Sequence, residues 1–98
     1  MEKFTPHSRL AVVGSLLRAG RIHTNSTAMA SAGAMGIELK DMLAVVAALT
    51  PADFHKSMTT LADHRVWQDV YRPATKFGRL YVKLTVFDYV LIVSFKEA

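Results

Sequence analysis

The stretch "RLYVKLTVFDYVLIVSFK", residues 79–96, carries the clearest strand pattern of this chain. Its two halves are rich in β-branched and aromatic residues and are alternating or continuously apolar, which predicts two strands. A turn at Asp88 and Tyr89, or a four-residue loop in the same register, would join them as an antiparallel hairpin. That register places Tyr81 directly across from Lys96. A loop with an odd number of residues would break this pairing.

The two faces of this hairpin differ in chemical character. Alternation puts an apolar set on the face expected to pack against the core, namely Leu80, Val82, Leu84, Val86, Leu91, Val93 and Phe95. The opposite face carries a polar and basic set, which comprises Tyr81, Lys83, Thr85, Ser94 and Lys96. We therefore expect one buried and one solvent-facing side of the sheet.

The sheet is expected to extend upstream of the hairpin. Strands are predicted over 54–62, 66–72, 79–87 and 89–96. A four-residue loop over 73–76 would place Gln68 opposite Tyr81. The same register turns Asp69 toward the apolar side, which would require a bulge or a frayed strand.

The first half of the chain is predicted to be helical. Thr5 followed by Pro6 is typical of a helix start, and Gly20 is typical of a helix end. Helices are expected over 5–20, 26–35 and 39–49, with a further short turn after Thr50. Helices followed by an antiparallel sheet indicate an α+β fold, in which the N-terminal helices pack on the C-terminal sheet. The length predicts a single domain over 1–98.

The composition limits the classes of function. The chain has no cysteine, which excludes disulfides and thiolate metal sites. The formal net charge is +4, and the segment 65–83 carries a basic excess equal to all of it. Its basic residues are Arg65, Arg72, Lys76, Arg79 and Lys83, against Asp69 alone. Such a segment favours a polyanionic partner.

The sequence has no convincing targeting or membrane signal. The apolar run 10–17 is followed by Arg18, Arg21 and His23, where a signal peptide stays apolar or small. No run approaches the roughly 18 apolar residues of a membrane span. We therefore expect a cytoplasmic protein that has no membrane partner.

The side chains that could carry chemistry leave several possibilities open. The four histidines lack i, i+4 spacing and a supporting carboxylate cluster, so no metal site is expected. A two-histidine ribonuclease reaction through His55 and His64 remains possible. The basic hairpin face is either a solvated surface or a phosphate-binding surface on which Tyr81 and Lys96 transfer protons. Mutual repulsion in a group of ammonium ions can make one lysine a usable base near neutral pH.

Three long segments add a family resemblance to these observations. They are "MEKFTPHSRL" (1–10), "DFHKSMTTLADHRVWQDVYRP" (53–73) and "LYVKLTVFDYVLIVSFKE" (80–97). The chain resembles the motility quorum-sensing regulator (MqsR) family of mRNA interferase toxins, more loosely over 11–50. The resemblance implies a RelE-like toxin fold. It also implies metal-independent, cofactor-free cleavage of single-stranded mRNA at GC-containing sites such as GCU.

The resemblance also implies a catalytic set and partners. The catalytic residues would be Lys56 as base or phosphate clamp, Gln68 orienting the nucleotide, Tyr81 as acid or hydrogen-bond donor, and Lys96 stabilising the phosphorane. Flanking phosphates would be held by Arg65, Arg72, Lys76, Arg79 and Lys83. A zinc-binding MqsA-like antitoxin would neutralise the toxin, and operator DNA would be bound only through the toxin–antitoxin complex.

Two other classes of function use the same surface. One is a non-catalytic nucleic-acid-binding module that employs the basic sheet face. The other is an interaction protein whose sheet edge pairs with a partner strand. Cleavage of RNA, binding without cleavage, or neither would distinguish the three.

Overall fold

The computed structural model describes residues 1–98 and combines three α-helices with one large sheet. The helices are α1 (Leu10–Arg18), α2 (Ser26–Ala34) and α3 (Leu39–Ala47), followed by a 3-10 turn at Pro51–Asp53. The strands are β1 (Glu2–Lys3), β2 (Ile22–Thr24), β3 (Phe54–Thr59), β4 (Trp67–Tyr71), β5 (Ala74–Thr75), β6 (Gly78–Val86) and β7 (Val90–Glu97). The sheet order is β1-β3-β4-β6-β7-β2, with β5 paired to β6. Only β2 and β7 are parallel, so the expected α+β class is confirmed.

Two of the three helices begin where the sequence pattern predicts and end within two residues of the predicted position. The side-chain oxygen of Asn25 accepts a hydrogen bond from the Ala28 N–H at 2.8 Å and caps α2. Glu38 and Asp41 form a capping box at the start of α3. The predicted turn after Thr50 is also present. None of the helices has both the length and the apolar character needed to cross a membrane.

The predicted start of α1 at Thr5 is wrong. The helix begins at Leu10, because the backbone ahead of it is bonded to the sheet instead. The N–H groups of His7 and Ser8 donate to the two carboxylate oxygens of Asp69, at 3.0 and 2.9 Å. Side-chain acceptors that bind backbone N–H groups in this way compete with helix formation.

The same contacts explain how Asp69 is accommodated on the apolar side of β4. Asp69 pairs with the buried Leu84 and is only 4% exposed. Its carboxylate also accepts a hydrogen bond of 2.6 Å from the Ser57 hydroxyl. A buried carboxylate with three donors is a satisfied group, so neither a bulge nor a frayed strand is needed at this position.

The helices cover one face of the sheet and form the core with it. The buried helical residues include Val13, Ala28, Ala32, Met42 and Val46. The buried sheet residues of the same cluster include Leu80, Val82, Leu84, Val90, Ile92 and Phe95. The face turned away from the helices carries the polar residues of β3, β4, β6 and β7. We call it the open face.

The β6–β7 hairpin has the predicted pairing at one end only. Tyr81 lies across from Lys96 as expected. The turn, however, spans three residues, and Val86 pairs with Val90. An unpaired Val93 in β7 absorbs the odd residue as a β-bulge. The predicted core positions Leu91 and Val93 are therefore wrong, and Val90 and Ile92 are buried in their place.

The register between β4 and β6 also differs from the expected one. Pro73 has no N–H group and interrupts the strand, but pairing resumes in β5 and the turn lies at Lys76 and Phe77. Asp69 consequently pairs with Leu84, four positions from the predicted partner. Extending this register places Gln68 across from Thr85 rather than Tyr81. A shift of four residues is even, so Gln68 stays on the open face.

Candidate active site on the open face of the sheet

The four predicted catalytic side chains all lie on the open face, on four different strands. Lys56 comes from β3, Gln68 from β4, Tyr81 from β6 and Lys96 from β7. Lys56 owes its position to a bulge at His55, since the neighbouring Phe54 packs against the core instead. The structure therefore brings together on one surface residues that are up to 40 positions apart in the sequence.

A row of paired residues crosses the centre of this face. Lys56 pairs with Val70, Val70 with Lys83, and Lys83 with Ser94. Val70 is fully buried although it is not part of the helix-facing core. Its two neighbours in the row are lysines whose aliphatic stems can cover it while the ammonium groups reach solvent. The row thus places one buried apolar residue between two lysines.

The Tyr81 ring lies between two of these charged groups. The Lys96 ammonium is 5.0 Å from the ring centroid, and the Lys83 ammonium is 5.9 Å from it. Both distances lie within the range of cation–π attraction. The arrangement places two positive charges next to the ring. A phosphodiester is the kind of ligand that such a surface attracts.

Lys83 has the least favourable environment for a positive charge. Burial lowers the pKa of its ammonium group below the usual value, and the charges of Lys96 and Lys56 lower it further. The sequence placed Lys83 on the correct face, through its two-residue spacing from Tyr81. It did not show that Lys83 lies at the centre of the lysine group.

Glu2 is a member of this surface that the sequence reasoning missed. Its carboxylate forms an ion pair with Lys56, with a closest distance of 2.8 Å between Oε1 and Nζ. The hydrogen bond and charge of Lys56 lower the pKa of Glu2. The contact depends on pairing of β1 with β3, where Glu2 lies opposite Met58. A two-residue strand carries no periodicity from which this pairing could have been predicted.

The five other predicted RNA contacts do not form one patch. Lys83 lies in the centre of the open face, and alternation along β6 puts Arg79 on the same face. Arg72 follows β4, and its carbonyl accepts a 2.6 Å hydrogen bond from the Arg79 guanidinium. Arg65 and Lys76 lie at opposite ends of β4, in the loop after β3 and in the β5–β6 turn. Arg65 is paired with Asp63 there.

The histidines are distributed over separate parts of the molecule. His55 lies at the start of β3, and His64 lies in the loop beyond the end of that strand. His7 stacks on Trp67 at 5.5 Å between ring centroids, and His23 makes an edge contact with Tyr89. No three His, Cys, Asp or Glu side chains come close enough to hold a metal ion.

Comparison with known proteins assigns this architecture to a family. Residues 5–97 match the sequence profile of the family described as "Motility quorum-sensing regulator, toxin of MqsA". The chain belongs to the MqsR toxin family. It is 50% identical over 97 residues to the mRNA interferase toxin MqsR of Escherichia coli strain K12, which covers 99% of each chain. The predicted family is thus confirmed over nearly the whole sequence, including the looser region 11–50.

The MqsR match includes every predicted site residue. Lys56, Gln68, Tyr81 and Lys96 lie within it, as do the five basic residues of 65–83. Glu2 precedes the residues 5–97 that match the family profile, so its assignment to the site rests on the ion pair with Lys56.

Proposed function

We propose that residues 1–98 form one toxin domain of a toxin–antitoxin system that acts as an endoribonuclease on mRNA. The observation that carries this proposal is the 50% identity, over 99% of both chains, to a protein named as an mRNA interferase toxin. The open face supports it independently. Lysine, tyrosine and glutamine side chains on one surface can bind a phosphodiester and transfer protons.

The reaction that these groups can perform is internal transesterification of RNA. The 2′-oxygen of a ribose forms a bond to the adjacent phosphorus, and the bond from phosphorus to the 5′-oxygen breaks. The proton of the 2′-hydroxyl passes to a base, and the leaving 5′-oxygen takes a proton from an acid. The products are a 2′,3′-cyclic phosphate and a 5′-hydroxyl. No electron transfer is involved, and every proton can move through a side chain.

The position of each side chain supports a distinct role. Lys56 forms an ion pair with Glu2, which favours the phosphate clamp over the base among its two expected roles. Lys96 is exposed beside Tyr81 and would stabilise the dianionic phosphorane. Tyr81 would donate a proton or hydrogen bond to the leaving oxygen. Gln68 would orient the nucleotide from the neighbouring strand.

The wider basic surface would hold the RNA on either side of the cleaved bond. Arg79 lies on β6 two residues before Tyr81, and Arg72 follows β4, whereas Arg65 and Lys76 lie beyond the two ends of β4. A strand of RNA crossing the open face along β4 could contact both ends. Binding through these residues should weaken steeply with salt. Lys83 joins this set through its position at the centre.

Family membership supports a substrate preference and a set of partners, and these form part of the proposal. We expect metal-independent cleavage at GC-containing sites such as GCU, in the cytoplasm. The family description names MqsA as the partner of its toxins. An MqsA-like, zinc-binding antitoxin would neutralise this chain, and the complex would bind operator DNA and regulate its own operon.

A cleavage assay with EDTA tests the central proposal. A defined RNA that contains one GCU site should be cut at that site, in EDTA, to give a 2′,3′-cyclic phosphate end. An RNA with a 2′-deoxy substitution at the site should bind and remain intact, because it lacks the nucleophile. Binding without cleavage of the first RNA would favour a non-catalytic RNA-binding module. The absence of both would favour a protein-interaction module.

A further inference from the structure

Lys83 has a position that differs from that of the other two lysines on the open face. It lies between them, in the row that runs from Lys56 through Val70 to Ser94. It is half-buried, whereas Lys96 is exposed. It also forms no ion pair, whereas Lys56 is bound to Glu2. Among the three, Lys83 is therefore the amine with neither a carboxylate partner nor full hydration to hold its proton.

We propose that Lys83 is the general base of the reaction and accepts the proton of the attacking 2′-hydroxyl through its neutral amine. This inference rests on the proposed ribonuclease function and adds a catalytic residue to it. The Lys83 ammonium group lies 5.9 Å from the Tyr81 ring, so base and acid would stand side by side on β6. Two residues separated by one position on a strand point to the same face about 7 Å apart. That spacing can bracket one phosphodiester, with the 2′-oxygen at one residue and the 5′-oxygen at the other.

The charged groups around Lys83 all favour loss of its proton, with one exception. Lys96 on β7, Lys56 on β3 and Arg79 on β6 are cationic. Strand β4 contributes uncharged Val70 and Gln68 to this face, since the Asp69 carboxylate lies on the helix side. Glu2 is the one carboxylate of the group, and its Oε1 is paired with the Lys56 Nζ at 2.8 Å.

The pKa of Lys83 agrees with this reading of the geometry. The pKa of the Lys83 ammonium group is lowered, first because the side chain is partly buried and then because Lys96 and Lys56 repel its charge. A base is most effective when its pKa approaches the working pH. When the amine takes the 2′-proton it becomes an ammonium ion beside the forming phosphorane. The positive charge then appears where negative charge develops, which stabilises the transition state.

The test compares two substitutions of Lys83 in the full chain under single-turnover conditions. Lys83→Arg keeps the positive charge but supplies no neutral amine at accessible pH. We expect RNA affinity and its salt dependence to remain close to those of the parent, while the cleavage rate falls by about 100-fold or more. Lys83→Ala should be inactive and should recover when a small primary amine is added. The recovered rate should follow the concentration of the neutral amine, not of its ammonium form.

The pH dependence provides a second readout that a purely structural role would not change. The parent rate should rise with pH and level off below the ordinary lysine pKa of 10.5, because the base form is then fully populated. In Lys83→Arg this plateau should be lost. The parent's profile is measured on the same RNA, with the spontaneous hydrolysis of RNA subtracted.

Each outcome decides the question. Cleavage by Lys83→Arg within about tenfold of the parent would show a cation rather than a base at this position, and would overturn the inference. If Lys83→Arg lowered both the cleavage rate and the affinity for RNA, the amine rescue of Lys83→Ala would distinguish a base from a cation at this position. Dependence on neutral amine supports the base, and dependence on total amine overturns it. An inactive parent would refute the ribonuclease function itself, which is a separate result.

Discussion

Replacing the buried Asp69 by alanine should lower the free energy of unfolding by about 3 kcal/mol. The carboxylate accepts hydrogen bonds from the Ser57 hydroxyl at 2.6 Å and from the N–H groups of His7 and Ser8 at 3.0 and 2.9 Å. It is 4% exposed and lies on the helix side of β4. These bonds attach residues 7–8 to the sheet, so the loss affects the N-terminal segment first.

The magnitude follows from the three bonds and from the cost of burying their acceptor. Hydrogen bonds to a charged group each contribute about 1.5–3 kcal/mol, but they are not additive. The parent protein also carries the desolvation cost of the carboxylate, which alanine removes. The net loss of about 3 kcal/mol is therefore smaller than the sum of the three hydrogen-bond energies. In a chain of this length it corresponds to a drop of about 12–24 °C in melting temperature.

Trp67 gives a local readout as well as a global one. It is the only tryptophan, and the His7 ring stacks on it while the Lys3 ammonium lies 4.1 Å from its centroid. Release of the N-terminal segment should therefore change its emission before the sheet unfolds. Denaturant unfolding followed by fluorescence and by circular dichroism should give coincident transitions in the parent. In Asp69→Ala the fluorescence transition should come at lower denaturant.

Asp88→Ala is the matched control. It makes the same chemical change at an exposed turn residue, and it should alter stability by no more than about 0.5 kcal/mol. If Asp69→Ala fell within the same range as Asp88→Ala, the carboxylate would not be what attaches the N-terminal segment. The late start of α1 would then need another cause.

Four further substitutions test the site. Lys96→Ala should leave the fold intact, because the side chain is exposed, but it should lower the cleavage rate about 100-fold. Full activity of this variant would remove Lys96 from the catalytic set. Tyr81→Phe keeps the ring and removes the hydroxyl, so cleavage should slow at unchanged RNA affinity, and cleavage at the parent rate would leave Tyr81 a packing residue. Arg79→Ala should weaken binding of all sequences and flatten the salt slope by about 0.7 to 1, whereas Lys40→Ala, an equal charge loss on α3, should not. Glu2→Gln removes the ion pair with Lys56, which lowers the pKa of the Glu2 carboxyl below its ordinary 4.5. The pair therefore stabilises the fold above pH 4.5, and this stabilisation is lost as the pH falls through the lowered pKa of the folded state. The stability difference between parent and Glu2→Gln should hence be smaller in acid than at neutral pH, and a constant difference would contradict it.

The elements of this fold were largely predictable, because their local signals were strong. α2, α3 and the long strands β6 and β7 appear close to the predicted positions. The class of fold followed from the order of these elements. The short strands were harder. β1 has two residues and β2 has three, and both owe their existence to neighbouring strands, to which they pair, and not to their own pattern.

Register was predictable only where the sequence alternates. Residues 80–85 alternate apolar and polar side chains, and there the pairing of Tyr81 with Lys96 was correct. Residues 90–93 are all apolar, so nothing in the sequence indicates which of them face the core or where a bulge lies. The shift between β4 and β6 has a different origin. The turn forms at Lys76 and Phe77, where the following Gly78 has a φ of +97°, a conformation that glycine adopts readily.

The two bulges also explain why the alternation of apolar and polar residues does not predict which lysines lie on the open face. On β3, Phe54 packs against the core, and strict alternation would turn Lys56 toward the core as well; the extra residue His55 moves Lys56 to the open face. On β7, Ile92 is buried, and strict alternation would likewise bury Lys96.

The unpaired residue in β7 reverses the faces, so that the buried position passes to Phe95 and the lysine reaches the open face. Both outer lysines of the candidate site therefore depend on a local break in alternation, and bulges often re-aim side chains beside active sites. The central Lys83 lies on a strand without such a break between it and Tyr81. Its position relative to Tyr81 is fixed by the strand itself, which suits a base and an acid that must act on one phosphodiester.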